Sequence, residues 1–191
     1  MITLALAGKP NCGKSTFFKA ATMANAEIAN YPFTTINPNF GVAYVRTKCA
    51  CTNLKTRCSH CVEGSRFVAV NLIDVAGLVP DAHKGKGLGN QFLDNLRQAN
   101  AILHIIDASG GTDSEGNPVG VGNHDPDIDV SFLLFEMTMW VHGILDKHWS
   151  HISRQSQGKR AAIQQGIADI FVGLGITLED VRDIELKLKI D

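Results

Sequence analysis

The stretch GKPNCGKST, Gly8 to Thr16, follows directly after the apolar run ITLALA near the start of this 191-residue chain. Its two glycines are followed by lysine and serine, which is the Walker A pattern. Glycine lets the backbone turn tightly and present its amides to phosphate oxygens, and a following helix adds its positive N-terminal end. The apolar run predicts a buried strand and KSTFFKAATMA predicts a helix. This order of elements predicts a phosphate-binding loop.

Each position of this loop has an expected part in holding a nucleotide and Mg²⁺. We expect Lys14 to reach the β- and γ-phosphates, where it also serves catalysis, and the Ser15 hydroxyl to bind Mg²⁺. The other residues predicted to contact the nucleotide are Gly8, Pro10, Asn11, Cys12, Gly13 and Thr16.

A second motif, Asp74-Val75-Ala76-Gly77, ends the apolar stretch RFVAVNLID. An aspartate at the end of a strand, after a Walker A loop, is typical of the residue that holds Mg²⁺ through water. The Gly77 amide is expected to sense the γ-phosphate. The alternative is a strand-end aspartate that caps a turn. Together the two motifs predict a nucleotide-hydrolysing site.

The segment NYPFTTI, residues 30–36, lies between the two motifs. A GTPase switch needs a threonine here, whose hydroxyl completes the Mg²⁺ shell until hydrolysis releases the loop. Thr34 and Thr35 both qualify, and we favour Thr35 as a catalytic and Mg²⁺-binding residue. A threonine-rich loop without a ligand is the alternative.

Four stretches, GKPNCGKST, NYPFTTINPNFG, DVAGLVPDAHKGKGLGNQFLDNLRQA and HIIDAS, resemble in this order the Obg-related P-loop GTPases, and among them the YchF group in its archaeal form. The resemblance covers roughly residues 1–110. It implies an α/β fold: part of a P-loop NTPase G domain with a mixed, mostly parallel sheet, followed by an all-helical insert. It also implies a translation-associated hydrolase that binds ribosomes, with some members preferring ATP to GTP.

Three residues refine the expected mechanism. Leu78 stands where many GTPases place a glutamine that orients the attacking water, which a leucine cannot do. Asn11 is the kind of residue that helps hold K⁺ beside the phosphates in potassium-activated relatives, although a loop hydrogen bond accounts for it equally well. His83 is a candidate water-positioning residue or base, with a solvated loop histidine as the alternative. The resemblance leads us to expect glycine at position 81, where this chain has Asp81.

Four of the five cysteines cluster between residues 49 and 61, as Cys49, Cys51, Cys58 and Cys61. Four thiolates on a short hairpin tip can close a tetrahedral Zn²⁺ site. Two disulfides, a redox switch and cysteines without a ligand are the alternatives. Lys48, Lys55, Arg57 and Arg66 surround the cluster, and this basic knob could contact RNA or be a solvated charged loop.

Strands alternate with helices up to about residue 107 and helical patterns alone follow, so we divide the chain into a G-domain part, 1–124, and a helical segment, 125–191. A cysteine-rich hairpin insert, 46–66, interrupts the first part. The N-K-x-D motif that selects guanine in such enzymes is not found in the sequence. We therefore expect the base-recognition loop beyond Asp191, in a longer protein.

The composition argues against several classes of protein. The formal net charge of −1 does not suggest a protein that coats nucleic acid, so no DNA partner is expected. No stretch of about 18 uncharged apolar residues and no signal peptide are apparent, which predicts a cytoplasmic protein without a membrane partner.

These observations together predict a Mg²⁺-dependent GTP-binding and hydrolysing switch that acts on the ribosome or its RNA. The alternatives are an ATPase of the same family and a zinc-stapled RNA- or ribosome-binding module with weak NTPase activity. The expected ligands are GTP and GDP, or ATP and ADP, with Mg²⁺, and K⁺ and Zn²⁺ as further candidates.

Overall fold

The computed structural model describes residues 1–23, 38–85 and 94–188. It divides into two compact units, Met1–Leu134 and Phe135–Asp191. The described residues contain four strands and five α-helices, in chain order β1 (Thr3–Ala7), α1 (Lys14–Thr22), β2 (Asn39–Lys48), α2 (Ala50–Asn53), β3 (Ser65–Asp74), β4 (Ala101–His104), α3 (Pro126–Ser156), α4 (Arg160–Phe171) and α5 (Leu178–Leu188).

The four strands form one sheet in the order β2-β3-β1-β4. Strand β1 pairs in parallel with β3, where Leu6 faces Asp74, and with β4, where Ala7 faces His104. Strand β2 is antiparallel to β3 from the pair Asn39–Asp74 to the pair Lys48–Ser65. The predicted mixed, mostly parallel sheet is confirmed, and the carboxyl ends of β1, β3 and β4 meet at one edge.

The core of the first unit lies between the sheet and α1. Phe18 is 1% exposed and packs with Leu6 and Leu72 from the two neighbouring parallel strands. A Cβ at Gly41 would lie 2.9 Å from the Phe18 ring, so this glycine lets α1 approach β2 closely. This packing fixes the start of α1 beside the carboxyl edge of the sheet.

The second unit is helical, as expected. Arg160 at the start of α4 lies 3.3 Å from the Glu185 carboxylate of α5, which also accepts a hydrogen bond from Gln164. Helix α5 begins with a reciprocal cap: the Asp180 amide donates to the Thr177 hydroxyl over 3.2 Å, and the Thr177 amide donates to the Asp180 carboxylate over 2.8 Å. The pattern is a capping box, with Asp180 in the position that glutamate or glutamine usually takes.

Helix α3 is long and apolar enough to cross a membrane, with a mean hydropathy of 1.4 over its most apolar window of 18 residues. For a single helix, length and composition are weak evidence of a membrane span, because core helices of soluble proteins can be equally long and apolar. The first turns of α3 contribute the buried carboxylate of Asp129 and the buried Leu133 to the first unit. The expectation that no membrane is involved stays a prediction.

Candidate nucleotide-binding site

The phosphate loop leaves the carboxyl end of β1 and ends where α1 begins. Asn11 and Gly13 have left-handed backbones, with φ of 58° and 99°. Gly13 is the N-cap of α1. Among the described residues, no side chain donates or accepts a capping hydrogen bond at this helix end, and the first turn of α1 contains no acidic residue. Left-handed residues that alternate with other conformations can point successive backbone amides into one concavity. The loop therefore offers an anion site at an uncapped helix N-terminus.

Lys14 lies across this loop. Its side chain is buried, and the ammonium donates a hydrogen bond of 2.7 Å to the carbonyl oxygen of Lys9. Burial lowers the pKa of Lys14, with the nearby Cys12 and Asp74 acting in the opposite direction. Burial also raises the pKa of the Cys12 thiol. A phosphate group in the loop would give this desolvated ammonium a counter-charge.

Ser15 and Asp74 meet at the start of α1. The Ser15 hydroxyl donates a hydrogen bond of 2.7 Å to the Asp74 carboxylate, which is fully buried at the end of β3. A hydroxyl and a carboxylate are the oxygen ligands that Mg²⁺ accepts beside phosphate oxygens. The donor set fits the predicted metal, whereas the third predicted Mg²⁺ ligand, Thr35, lies outside the described residues, as does Thr34.

The DVAG motif packs directly on the phosphate loop. A Cβ at Gly77 would lie 2.7 Å from both the Cα and the backbone nitrogen of Pro10. The next amide, that of Leu78, donates to the Gly8 carbonyl over 3.0 Å, and the Leu78 side chain is buried. Position 77 therefore has no room for a side chain unless the loop moves.

Replacing Gly77 by alanine is expected to weaken nucleotide binding about ten-fold, because overpacking costs about 1–3 kcal/mol and here displaces the backbone of Pro10. Calorimetric titration with GDP would measure it. The matched control is Gly143→Ala, where an added Cβ meets nothing within 4 Å. Equal affinities of Gly77→Ala and wild-type protein would contradict this prediction.

The covering segment, which we define as the chain between β4 and α3 together with the first turn of α3, lies against the phosphate loop. The buried Lys9 ammonium donates to the Thr112 carbonyl over 2.7 Å and lies 2.8 Å from the Asp129 carboxylate. The Asn11 side-chain amide donates to the Gly116 carbonyl over 2.8 Å. Lys9 and Asp129 are not among the site residues predicted from the sequence. No local pattern could have found the pair, since its members lie far apart in the chain.

Asp107 organises the start of this covering segment. Its carboxylate accepts hydrogen bonds from the Ser109 hydroxyl at 2.6 Å, the Thr112 hydroxyl at 2.8 Å and the Gly111 amide at 3.1 Å. The hydrogen bond from Ser109 is the main cause that lowers the pKa of Asp107 to about 2. Farther along, the His124 ring lies 2.7 Å from Asp129. The aspartate of the run HIIDAS, Asp107, therefore shapes the loop that follows β4.

The remaining predicted residues occupy separate positions. His83 is half-buried in a single 3-10 turn, Ala82–Lys84, and Thr16 is exposed on α1. Asp81, in the position where we expected glycine, has a left-handed φ of 67°, a conformation that Asp adopts more readily than most residues. Asn11 makes the loop hydrogen bond that was the alternative to its K⁺ role, and the roles of Asn11 and His83 stay predictions.

The four clustered cysteines lie at the opposite end of β3 from Asp74. Their sulfur atoms all fall within 4.8 Å of one another. The cluster is therefore a second candidate site, separate from the phosphate loop.

Comparison with known proteins identifies the family. Residues 3–130 match the family described as 50S ribosome-binding GTPase. An uncharacterized GTP-binding protein of Methanocaldococcus jannaschii is 49% identical over 95% of this chain and 47% of its own length. The ribosome-binding ATPase YchF of Bacillus subtilis is 36% identical over 83% of this chain and 42% of its own length.

Among solved structures, the G domain of the T. maritima FeoB iron transporter matches 73% of this chain and 66% of that chain, at 21% identity and a TM-score of 0.40. The chain spans a little under half the length of the two curated relatives above. The family match covers the phosphate loop, the DVAG motif and the covering segment. The chain belongs to the 50S ribosome-binding GTPase family, as an Obg- and YchF-related P-loop GTPase domain.

Proposed function

We propose that this protein is a Mg²⁺-dependent, GTP-hydrolysing switch that binds the ribosome. The observation that carries the proposal is the contact of 2.7 Å between the Ser15 hydroxyl and the buried Asp74 carboxylate, beside the uncapped start of α1. Separate motifs of the sequence supply these two groups, and the sheet brings them to one edge. Such a set of groups suits a nucleotide phosphate chain and its metal.

The chain's own groups have distinct parts in this proposal. Lys14 exchanges the Lys9 carbonyl for phosphate oxygens and offsets their charge, while loop amides and the α1 N-terminus donate to the same oxygens. Ser15 and Asp74 would hold Mg²⁺, which when bound neutralises charge on the β- and γ-phosphates. The backbone amide of Gly77 would contact the γ-phosphate and so distinguish GTP from GDP.

Leu78 is buried and apolar and cannot orient the attacking water, so another residue has to activate it. We propose that His83 positions this water and that Asn11 helps hold K⁺, which would take the place of an arginine finger. Thr35 is proposed to complete the metal shell. GTP is the proposed substrate, and ATP is the alternative because the Bacillus subtilis relative carries the name ATPase.

The proposed partner surface is one face of the β2–β3 hairpin, formed by Phe40, Tyr44, Arg46, Lys48 and Phe67. In the register of the two strands, Arg46 lies opposite Phe67 on this face. Phe40, Tyr44 and Phe67 are 63%, 65% and 54% exposed. Exposed aromatic rings beside cations suit RNA, because bases stack on the rings while cations meet phosphates. We therefore propose ribosomal RNA as the occupant of this face.

Sedimentation with ribosomes in the presence of GDP, a non-hydrolysable GTP analogue or no nucleotide would test the switch. The bound fraction is expected to depend on the nucleotide, and Lys14→Ala is expected to remove that dependence.

Tyr44→Ala combined with Phe67→Ala is expected to weaken ribosome binding, since each stacked base contributes about 1–3 kcal/mol, while GDP affinity is kept.

The alternative function, a binding module with weak NTPase activity, makes a different prediction. Association would then be the same in every nucleotide state and in Lys14→Ala, but would be lost when the clustered cysteines are changed to serine. Competition between GDP and ADP for the same protein separates the GTPase from the ATPase. Failure to bind either nucleotide would contradict the switch.

A further inference from the structure

The connection between β2 and β3 has no apolar core of its own. The segment 49–64 contains a single short helix, Ala50–Asn53, and three left-handed residues, Lys55, Glu63 and Gly64. Its larger apolar side chains are outside the core, with Leu54 and Val62 exposed by 73% and 67%. A hairpin tip without buried apolar surface needs another source of order.

Cysteine side chains occupy the interior of this segment. The sulfur atoms of Cys49 and Cys58 lie 3.6 Å apart, those of Cys51 and Cys61 lie 3.5 Å apart, and those of Cys58 and Cys61 lie 3.4 Å apart. All four atoms lie within 4.8 Å of one another. None of the pairs is bonded, because a disulfide requires about 2.05 Å.

These separations match a single tetrahedral ion. With metal–sulfur bonds of about 2.3 Å, tetrahedral geometry places the ligand atoms about 3.8 Å apart. An iron–sulfur cluster distributes its thiolates over several iron atoms, which spreads them farther than four ligands of one ion. Cys49 is 3% exposed and the other three cysteines are half-buried, so the cluster is also shielded from solvent.

Two backbone hydrogen bonds within the segment 49–64 position the cysteines. The Cys49 amide donates to the Gly64 carbonyl over 2.8 Å and so closes the base of the segment. The Thr56 amide donates to the Cys51 carbonyl over 3.1 Å and turns the chain back toward Cys58. These bonds bring a C-x-C pair and a C-x-x-C pair to one point.

We propose that Cys49, Cys51, Cys58 and Cys61 bind one Zn²⁺ ion in a closed, structural site at the tip of the β2–β3 hairpin. Each thiol releases its proton to solvent as its sulfur binds the ion. The four sulfurs complete the coordination, so no position is left for water or substrate. His60 is exposed and takes no part in the ligand set. The ion replaces the missing core and fixes the ends of β2 and β3.

Metal analysis of the protein, purified under reducing conditions without chelator, tests this site. Wild-type protein and the control His60→Ala are each expected to contain one equivalent of zinc. The variant with Cys58→Ser and Cys61→Ser is expected to contain none. Loss of zinc in His60→Ala, or its retention in the double variant, would overturn the proposed ligand set.

Two further measurements keep the test independent of folding failure. A chelator is expected to make four additional thiols of the wild-type protein reactive, leaving the buried Cys12 as the fifth. Co²⁺ added to the metal-free protein is expected to give the visible absorption of tetrahedral thiolate coordination, saturating at one equivalent. Two disulfides in the native protein, or iron with inorganic sulfide, would refute the proposal.

Discussion

Lys14→Ala is expected to weaken the binding of GDP by about 100- to 1,000-fold, equivalent to about 3–4 kcal/mol. Lys14 is a buried cation at the start of α1, and its ammonium donates to the Lys9 carbonyl within the phosphate loop. In a water-poor site a charge-assisted contact to phosphate is strong, and its loss leaves phosphate charge without compensation. Titration of fluorescent GDP with Mg²⁺ present would measure the change.

Lys19→Ala provides the matched control, because Lys19 lies in the last turn of the same helix and is exposed. GDP affinity in this variant is expected to equal that of wild type. If Lys14→Ala and Lys19→Ala bound GDP equally well, the loop would not be the phosphate site. Circular dichroism of both variants would show whether a lost affinity reflects a lost fold.

Asp129→Ala is expected to destabilise the first unit by about 3–5 kcal/mol. The side chains of Lys9 and Asp129 are 0% and 3% exposed, and their ammonium and carboxylate groups lie 2.8 Å apart. Removing the carboxylate leaves the lysine charge in the interior without its direct ion-pair partner. Chemical denaturation with the purified chain would measure the free energy of unfolding.

Lys84→Ala is the control for this prediction. Lys84 and Asp81 form an ion pair of the same length, 2.8 Å, but their side chains are 68% and 50% exposed. Solvent screening limits such a pair to less than about 1 kcal/mol. Similar destabilisation by both substitutions would mean that burial does not strengthen the Lys9–Asp129 pair. A double variant with Lys9→Met and Asp129→Leu is expected to recover part of the loss.

Much of the site could be predicted because its motifs are local. The glycines, Lys14 and Ser15 are close in the chain, and their order after an apolar run already implies strand, loop and helix. Asp74 was predictable from its place at the end of an apolar stretch. Parallel strands then bring such ends to one edge of a sheet, which explains why residues from separate motifs meet.

Other features could not be predicted from local patterns. The pairing of Lys9 with Asp129 and of Asn11 with the Gly116 carbonyl depends on how the segment after β4 lies over the loop. Likewise, the DVAG motif by itself accounts for Gly77 only through its amide. A second requirement for glycine at this position, the close approach of Pro10, is seen only in the folded structure, where the two loops pack together.

By itself, the sequence determined the class of ligand, the α/β character of the first unit and the set of cysteines, because each depends on residue types at short, regular spacings. Only the tertiary structure decided which distant groups share a buried charge and that the four sulfurs lie close enough for one ion. Contacts between distant segments depend on packing and desolvation, and these are properties of the folded chain rather than of any short stretch of it.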